Sequence, residues 1–134
     1  MQTKTFLATD ENMQTINDFV HAALPPDCLE DALFKIDVAV EEIYINIAHY
    51  AYAPSKGEVE VSCGEENGVF TVVFADRGKP FDPLAHADPD ITLSADEREI
   101  GGLGIFMTKK FMSSVAYRYE DGKNILTITK ALGA

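Results

Sequence analysis

Apolar residues recur along this chain with two different periods, and the switch between them marks its elements. Leu29, Leu33, Ile36, Val40, Ile43 and Ile47 follow one another at spacings of 4, 3, 4, 3 and 4. That is one helical face, held continuously for about five turns. The helix is expected to start near Asp27 and to close at Ala53-Pro54-Ser55-Lys56-Gly57. An earlier helix carries Ile16, Phe19, Val20, Ala23 and Leu24 on one stripe, with Asp10 as its expected N-cap. Pro25-Pro26 ends it.

Elsewhere the period is two. Gln2 to Ala8 alternate weakly and read as a strand, suited to a sheet edge. Glu58 to Cys63 alternate cleanly, with Val59, Val61 and Cys63 inward. Asn67-Gly68 is a strong hairpin signal, and Val69 to Asp76 form the partner strand with Phe70, Val72 and Phe74 on one face. Asp76 is in phase with that face. A buried carboxylate is costly unless it has a partner, so Asp76 either caps a turn or receives a donor. Asp76-Arg77-Gly78-Lys79-Pro80-Phe81-Asp82-Pro83 is turn chemistry. Residues 84–99 show weak periodicity and read as a long loop of the kind used for lids and binding loops. Gly101-Gly102-Leu103-Gly104 runs into a short helix ending at Met112. Strands over Val115–Tyr119 and Ile125–Thr129 follow, joined across Asp121-Gly122. Hairpins segregated from striped helices predict an α+β fold, a two-layer sandwich. The alternating βαβ units of a Rossmann arrangement are missing.

With 134 residues, 14.7 kDa and 46% hydrophobic residues, the chain is expected to form one domain, residues 1–134. Its charge narrows the function classes. There are 11 basic residues against 22 acidic ones, a net charge of −11. The basic stripe of a nucleic-acid binder is not visible, and an anionic membrane would be repelled. A basic protein partner would be favoured. An anionic ligand needs backbone N–H groups, a few Lys or Arg, or a metal. Cys28 and Cys63 form neither a metal cluster nor a disulfide framework and read as small core residues. The N-terminus lacks a signal peptide, and no apolar run approaches ~18 residues. A reduced, cytoplasmic protein is expected.

The chemistry concentrates at the end of the long helix. Glu42 and Asn46 stand at i and i+4, on one face. Glu41 is five residues from Asn46 and points elsewhere. Glu42 and Asn46 each precede a stripe residue by one, so packing can hold them while they reach a ligand. A carboxylate there can accept a proton, and a carboxamide oxygen can ligate Mg²⁺, a hard cation that bridges phosphates. The glycines of Gly101-Gly102-Leu103-Gly104, opening a helix, can let backbone N–H groups approach an anion. No Gly-Lys-Ser/Thr follows, so this is not a Walker loop.

Three motifs therefore occur in order: Glu-x-x-x-Asn on a helix, Asp-x-Gly-x-Pro-Phe-Asp-Pro after a strand, and Gly-Gly-Leu-Gly before a helix. The set resembles the GHKL (Bergerat-fold) ATPases, and most closely their small anti-sigma-factor serine kinase branch. The likeness spans about residues 5–130. It implies a mixed, mostly antiparallel β-sheet packed on helices, and ATP with Mg²⁺ as cofactors. It implies an anti-sigma regulator that phosphorylates a serine on a STAS-type anti-anti-sigma partner and forms a homodimer. By the same likeness Glu42 is the general base, Asn46 the Mg²⁺ ligand, and Asp76 the acceptor of the adenine amino group, with Gly78 allowing the base to approach. Gly102 and Gly104 would contact phosphates, Gly101 would shape the turn, and residues 84–100 would form the ATP lid. Arg98 is a candidate phosphate contact, while Lys109 and Lys110 fit the outer face of their helix.

The sequence departs from the family pattern at three places. Tyr50 stands where the family often has His, with His49 just before it and Ala51-Tyr52 matching. Met112-Ser113-Ser114 replaces the frequent Met-Asp. Gly122-Lys123-Asn124 lacks the Gly-Thr pair that some members place beside the adenine, so the resemblance assigns no nucleotide contact to that strand. A rival reading is a catalytically weak ATP-binding module that sequesters a sigma factor or another protein. A histidine-kinase role is disfavoured, because His21, His49 and His86 lack a phosphoacceptor setting. Gyrase, mismatch-repair and chaperone roles need further domains.

Overall fold

A computed structural model describes residues 1–53, 55–85 and 102–133. Two hairpins and an N-terminal strand build a five-stranded sheet in the order β1-β2-β3-β5-β4. The strands are β1 (Gln2–Leu7), β2 (Glu58–Glu66), β3 (Val69–Asp76), β4 (Ser114–Glu120) and β5 (Lys123–Ala131). Every ladder among the described residues is antiparallel, so the sheet carries no parallel pair there. β1 lies at one edge and β4 at the other. Both hairpin turns take the left-handed backbone that Asn-Gly and Asp-Gly tolerate: φ is 55° at Asn67 and 81° at Gly68, then 55° at Asp121 and 76° at Gly122.

Helices α1 (Met13–Ala23), α2 (Glu30–Asn46) and α3 (Gly102–Phe111) form the second layer. The sheet's inner residues, among them Val59, Val61, Phe70, Val72, Phe74 and Ile128, share one core with Ile16, Val20, Ile36, Val40, Ile43 and Tyr44. The architecture is the two-layer α+β sandwich expected from the pattern.

Several boundaries differ from expectation. Asp10 does not cap α1. It opens a 3₁₀ turn, Asp10–Asn12, and its carboxylate pairs with His49 at 2.7 Å. α2 begins at Glu30 rather than near Asp27, and Leu29 is exposed. The stripe is fully buried only from Ile36 onward, with Ala32 and Ala39 buried beside it. Cys63 is buried as expected, whereas Cys28 is only partly covered. Tyr44 lies off the stripe yet is fully buried. Its hydroxyl accepts from Thr9 N–H at 2.9 Å and donates to the Thr9 carbonyl, tying α2 to the end of β1. A polar tip satisfied inside the core explains why a tyrosine can stand there.

Candidate active site

The first motif lies where α2 changes its winding. Asn46 is its last α-helical residue, and Ile47–Ala51 continue as a π-helical turn. Such turns widen the helix and free backbone groups, and they recur at functional sites. Glu42 and Asn46 are half-buried, as their place beside the stripe predicts. Asn46 Nδ2 donates to Glu42 Oε1 at 3.1 Å. That bond sets the amide's orientation and leaves its oxygen as the acceptor available to a ligand.

The third motif reaches Glu42 directly. A β-carbon at Gly104 would overlap the Glu42 carboxylate. With Glu42 in this rotamer, a glycine lets the first turn of α3 lie against the carboxylate, and a larger residue would have to displace it. Gly102 is the first residue of α3. The helix N-terminus, where N–H groups lack intrahelical partners, thus meets the carboxylate. Thr108, almost wholly buried, donates its hydroxyl to the Gly104 carbonyl at 2.9 Å and fixes that turn from within. Gly101, Arg98 and His86 lie outside the described residues, as does the expected lid beyond Ala85.

The second motif docks on the π-helical turn. Lys79 N–H donates to the Ala51 carbonyl at 3.0 Å, and a β-carbon at Gly78 would overlap that same carbonyl. The close approach at Gly78 is therefore between two backbones. Tyr52 reinforces the joint: its hydroxyl accepts from Arg77 N–H at 2.8 Å and donates to the Glu58 carbonyl at 2.6 Å. Burial raises the Tyr52 phenol pKa, against the opposing pull of the Arg77 N–H, so the donor proton stays in place. The end of the helix that bears the first motif thus touches both others, Glu42 against Gly104 and Ala51 against Gly78, although 62 and 27 residues separate the pairs.

Asp76 sits at the end of the inner sheet face, 6% exposed. Its Oδ1 accepts from Gly78 N–H at 2.9 Å and from Asn124 Nδ2 at 3.0 Å. Asp76 and Asn124 are direct partners in the β3–β5 ladder. Asn124 Nδ2 also reaches the Lys79 carbonyl at 2.9 Å, and its Oδ1 accepts from Phe81 N–H at 3.0 Å and from the Tyr117 hydroxyl. The last hairpin does supply the Asp76 site, through an asparagine and a tyrosine that the sequence reading leaves without a role. Register was the available signal: once β3 and β5 pair, Asn124 must face Asp76.

Tyr50 and His49 stand apart. Tyr50 is 58% exposed, and His49 is held by Asp10. His21 pairs with Asp37 at 2.6 Å. Lys110 lies over the Phe106 ring, 5.4 Å from its centroid. Among the described residues no helix is long and apolar enough to cross a membrane.

The fold and the sequence have counterparts among known proteins. A solved structure of the RsbU and RsbW domains of Rv1364c from Mycobacterium tuberculosis matches 98% of this chain with a TM-score of 0.67 at 18% identity. This chain spans only 33% of that one, so the likeness speaks to the fold. The serine/threonine-protein kinase BtrW of Bordetella bronchiseptica is 27% identical over 97 residues, which is 72% of this chain and 68% of BtrW. The model of the histidine kinase-like ATPase domain matches residues 6–130, nearly the whole chain, and the protein belongs to that family.

Proposed function

We propose that this protein is an ATP-dependent serine kinase of the anti-sigma type, which phosphorylates a serine on a STAS-type anti-anti-sigma partner. The observation that carries the reading is the contact between the Gly104 turn and the Glu42 carboxylate. It sets a proton acceptor beside the N-terminus of a helix, where an anionic phosphate is favoured. The likeness to BtrW, a protein named as a serine/threonine kinase, supports the same chemistry.

In this reading Asp76 accepts the adenine amino group, the N–H groups of Gly102 and Gly104 hold the phosphates, and Gly101 shapes the turn. Glu42 takes the proton of the partner's serine hydroxyl as the serine oxygen bonds to the terminal phosphorus. The bond from that phosphorus to the bridging oxygen breaks, and ADP leaves. The donor set fits Mg²⁺: the Asn46 carboxamide oxygen is a hard ligand whose amide is already oriented by Glu42. Bound there, the ion would neutralise charge on the phosphates. A homodimer working in the cytoplasm, alternately engaging a sigma factor and the STAS-type protein, completes the reading.

The test is Glu42→Gln. ATP binding by calorimetry should persist, while transfer of labelled terminal phosphate to a serine of the partner should fall by about 10²-fold or more. Unchanged transfer would remove Glu42 as the base. A second reading, sequestration with little catalysis, is favoured by the net charge of −11, which suits capture of a basic partner. Partner capture by wild type without any transfer would select it.

A further inference from the structure

Among the described residues Asn124 is the one buried amide side chain, and each of its polar atoms is used. Phe81 N–H can only donate, so the atom it meets at 3.0 Å must be the amide oxygen. The Tyr117 hydroxyl donates to the same oxygen. Burial raises the Tyr117 phenol pKa and keeps that proton on. With the oxygen fixed, Nδ2 must face Asp76 Oδ1, at 3.0 Å, and the Lys79 carbonyl, at 2.9 Å.

The consequence falls on Asp76. Among the described residues, both of its donors, Asn124 Nδ2 and Gly78 N–H, meet Oδ1. With Oδ1 engaged by the protein, Oδ2 is the oxygen left for a ligand. An aspartate has a broad terminal torsion. Two donors on one oxygen, one from β5 and one from the loop after β3, restrain that torsion.

We propose that Asn124 is the positioning residue for base recognition. It fixes the Asp76 carboxylate so that the free oxygen selects a purine bearing a 6-amino donor. The proposal rests on the reading of Asp76 as the acceptor of that amino group. A purine with hydrogen or a carbonyl at position 6 offers no donor there and leaves the buried carboxylate oxygen unpaired. Asn124 acts through Asp76, so its removal should matter only for ligands that use Asp76. A residue that merely holds the loop together would weaken every nucleotide alike.

The experiment compares ATP with purine riboside triphosphate, which lacks the 6-amino group, in calorimetric titrations of wild type, Asn124→Ala, Asn124→Asp and Asp76→Asn. Asn124→Asp keeps an acceptor for Phe81 and Tyr117 and turns the donor to Asp76 into a repelling oxygen. It carries the test should Asn124→Ala fail to fold by circular dichroism. Expected is a loss of ATP affinity of about tenfold or more in both Asn124 variants. Affinity for the 6-unsubstituted analogue should stay within about twofold. Equal loss for the two nucleotides, or no loss for either, overturns the proposal while the Asp76 reading stands if Asp76→Asn still abolishes the preference for ATP. A wild type that binds the two nucleotides equally overturns the Asp76 reading, and this proposal with it.

Discussion

At Gly104 the side chain is a single hydrogen because the Glu42 carboxylate occupies the space a β-carbon would take. That makes one methyl group a sharp probe of the site. Gly104→Ala favours helix over glycine by up to about 1 kcal/mol in an open context. Here the added carbon must instead push Glu42 or the first turn of α3 aside. The expected outcome is a folded protein that transfers phosphate about 10²-fold more slowly, since displacing a reacting group by about 1 Å costs that much. Thermal melting alongside the transfer assay separates this from unfolding. Retained activity would mean that Glu42 has room to move, and that its contact with α3 does not position it. Gly78 follows the same logic against the Ala51 carbonyl. At both glycines the need is for protein to approach protein, which a glycine-rich motif alone does not distinguish from making room for a ligand.

Among the elements, what was legible in the sequence was what local periodicity encodes. The stripe from Ile36 to Ile47, the clean alternation of β2 and β3, and both left-handed turns needed only neighbouring residues. Long-range pairing was not legible. Asn124 faces Asp76 because β5 lies beside β3, and no short turn links those two strands. The π-helical turn after Asn46 was hidden for a related reason. Its residues continue a helical pattern, and its widening accompanies the docking of the Gly78 loop, 27 residues beyond Ala51. Tyr44 was missed because its fit in the core depends on a hydroxyl partner contributed by the end of β1. β2 supplies a measurable consequence of burial. The Cys63 thiol, fully buried on the inner face, has its pKa raised by desolvation from 9.0 to about 11. A raised folded pKa favours the protonated form. The associated stability is fully present below pH 9.0 and is lost as pH rises through about 11. Cys63→Val nearly conserves volume and cannot ionise. Denaturant melts should therefore show wild type losing stability relative to the variant between those two pH values, and a constant difference would contradict the assignment.

On the scale of the whole molecule, a chain of net charge −11 is read as a binder of ATP, itself a polyanion. Its long-range field opposes the ligand, so binding must rest on short-range groups. The groups proposed for the site suit that need: backbone N–H donors at the start of α3, a carboxylate assigned to the uncharged base, and a carboxamide that suits a metal ion. None is a cation paired with phosphate. This predicts an unusual salt response. Screening weakens the repulsion between the acidic surface and ATP as the Debye length shrinks, whereas a site built on Lys or Arg would lose attraction. Titration of ATP at fixed Mg²⁺ should therefore show affinity constant or rising roughly two- to threefold between about 0.02 M and about 0.2 M salt. A clear fall over that range would mean that cations dominate phosphate binding. Arg98 is then the first residue to replace, because it stands three positions before the glycine turn. An Arg98→Ala variant that abolished such a fall would move the phosphate contacts from the backbone of the glycine turn to the segment preceding it, and the assignment of Gly101, Gly102 and Gly104 would have to be withdrawn.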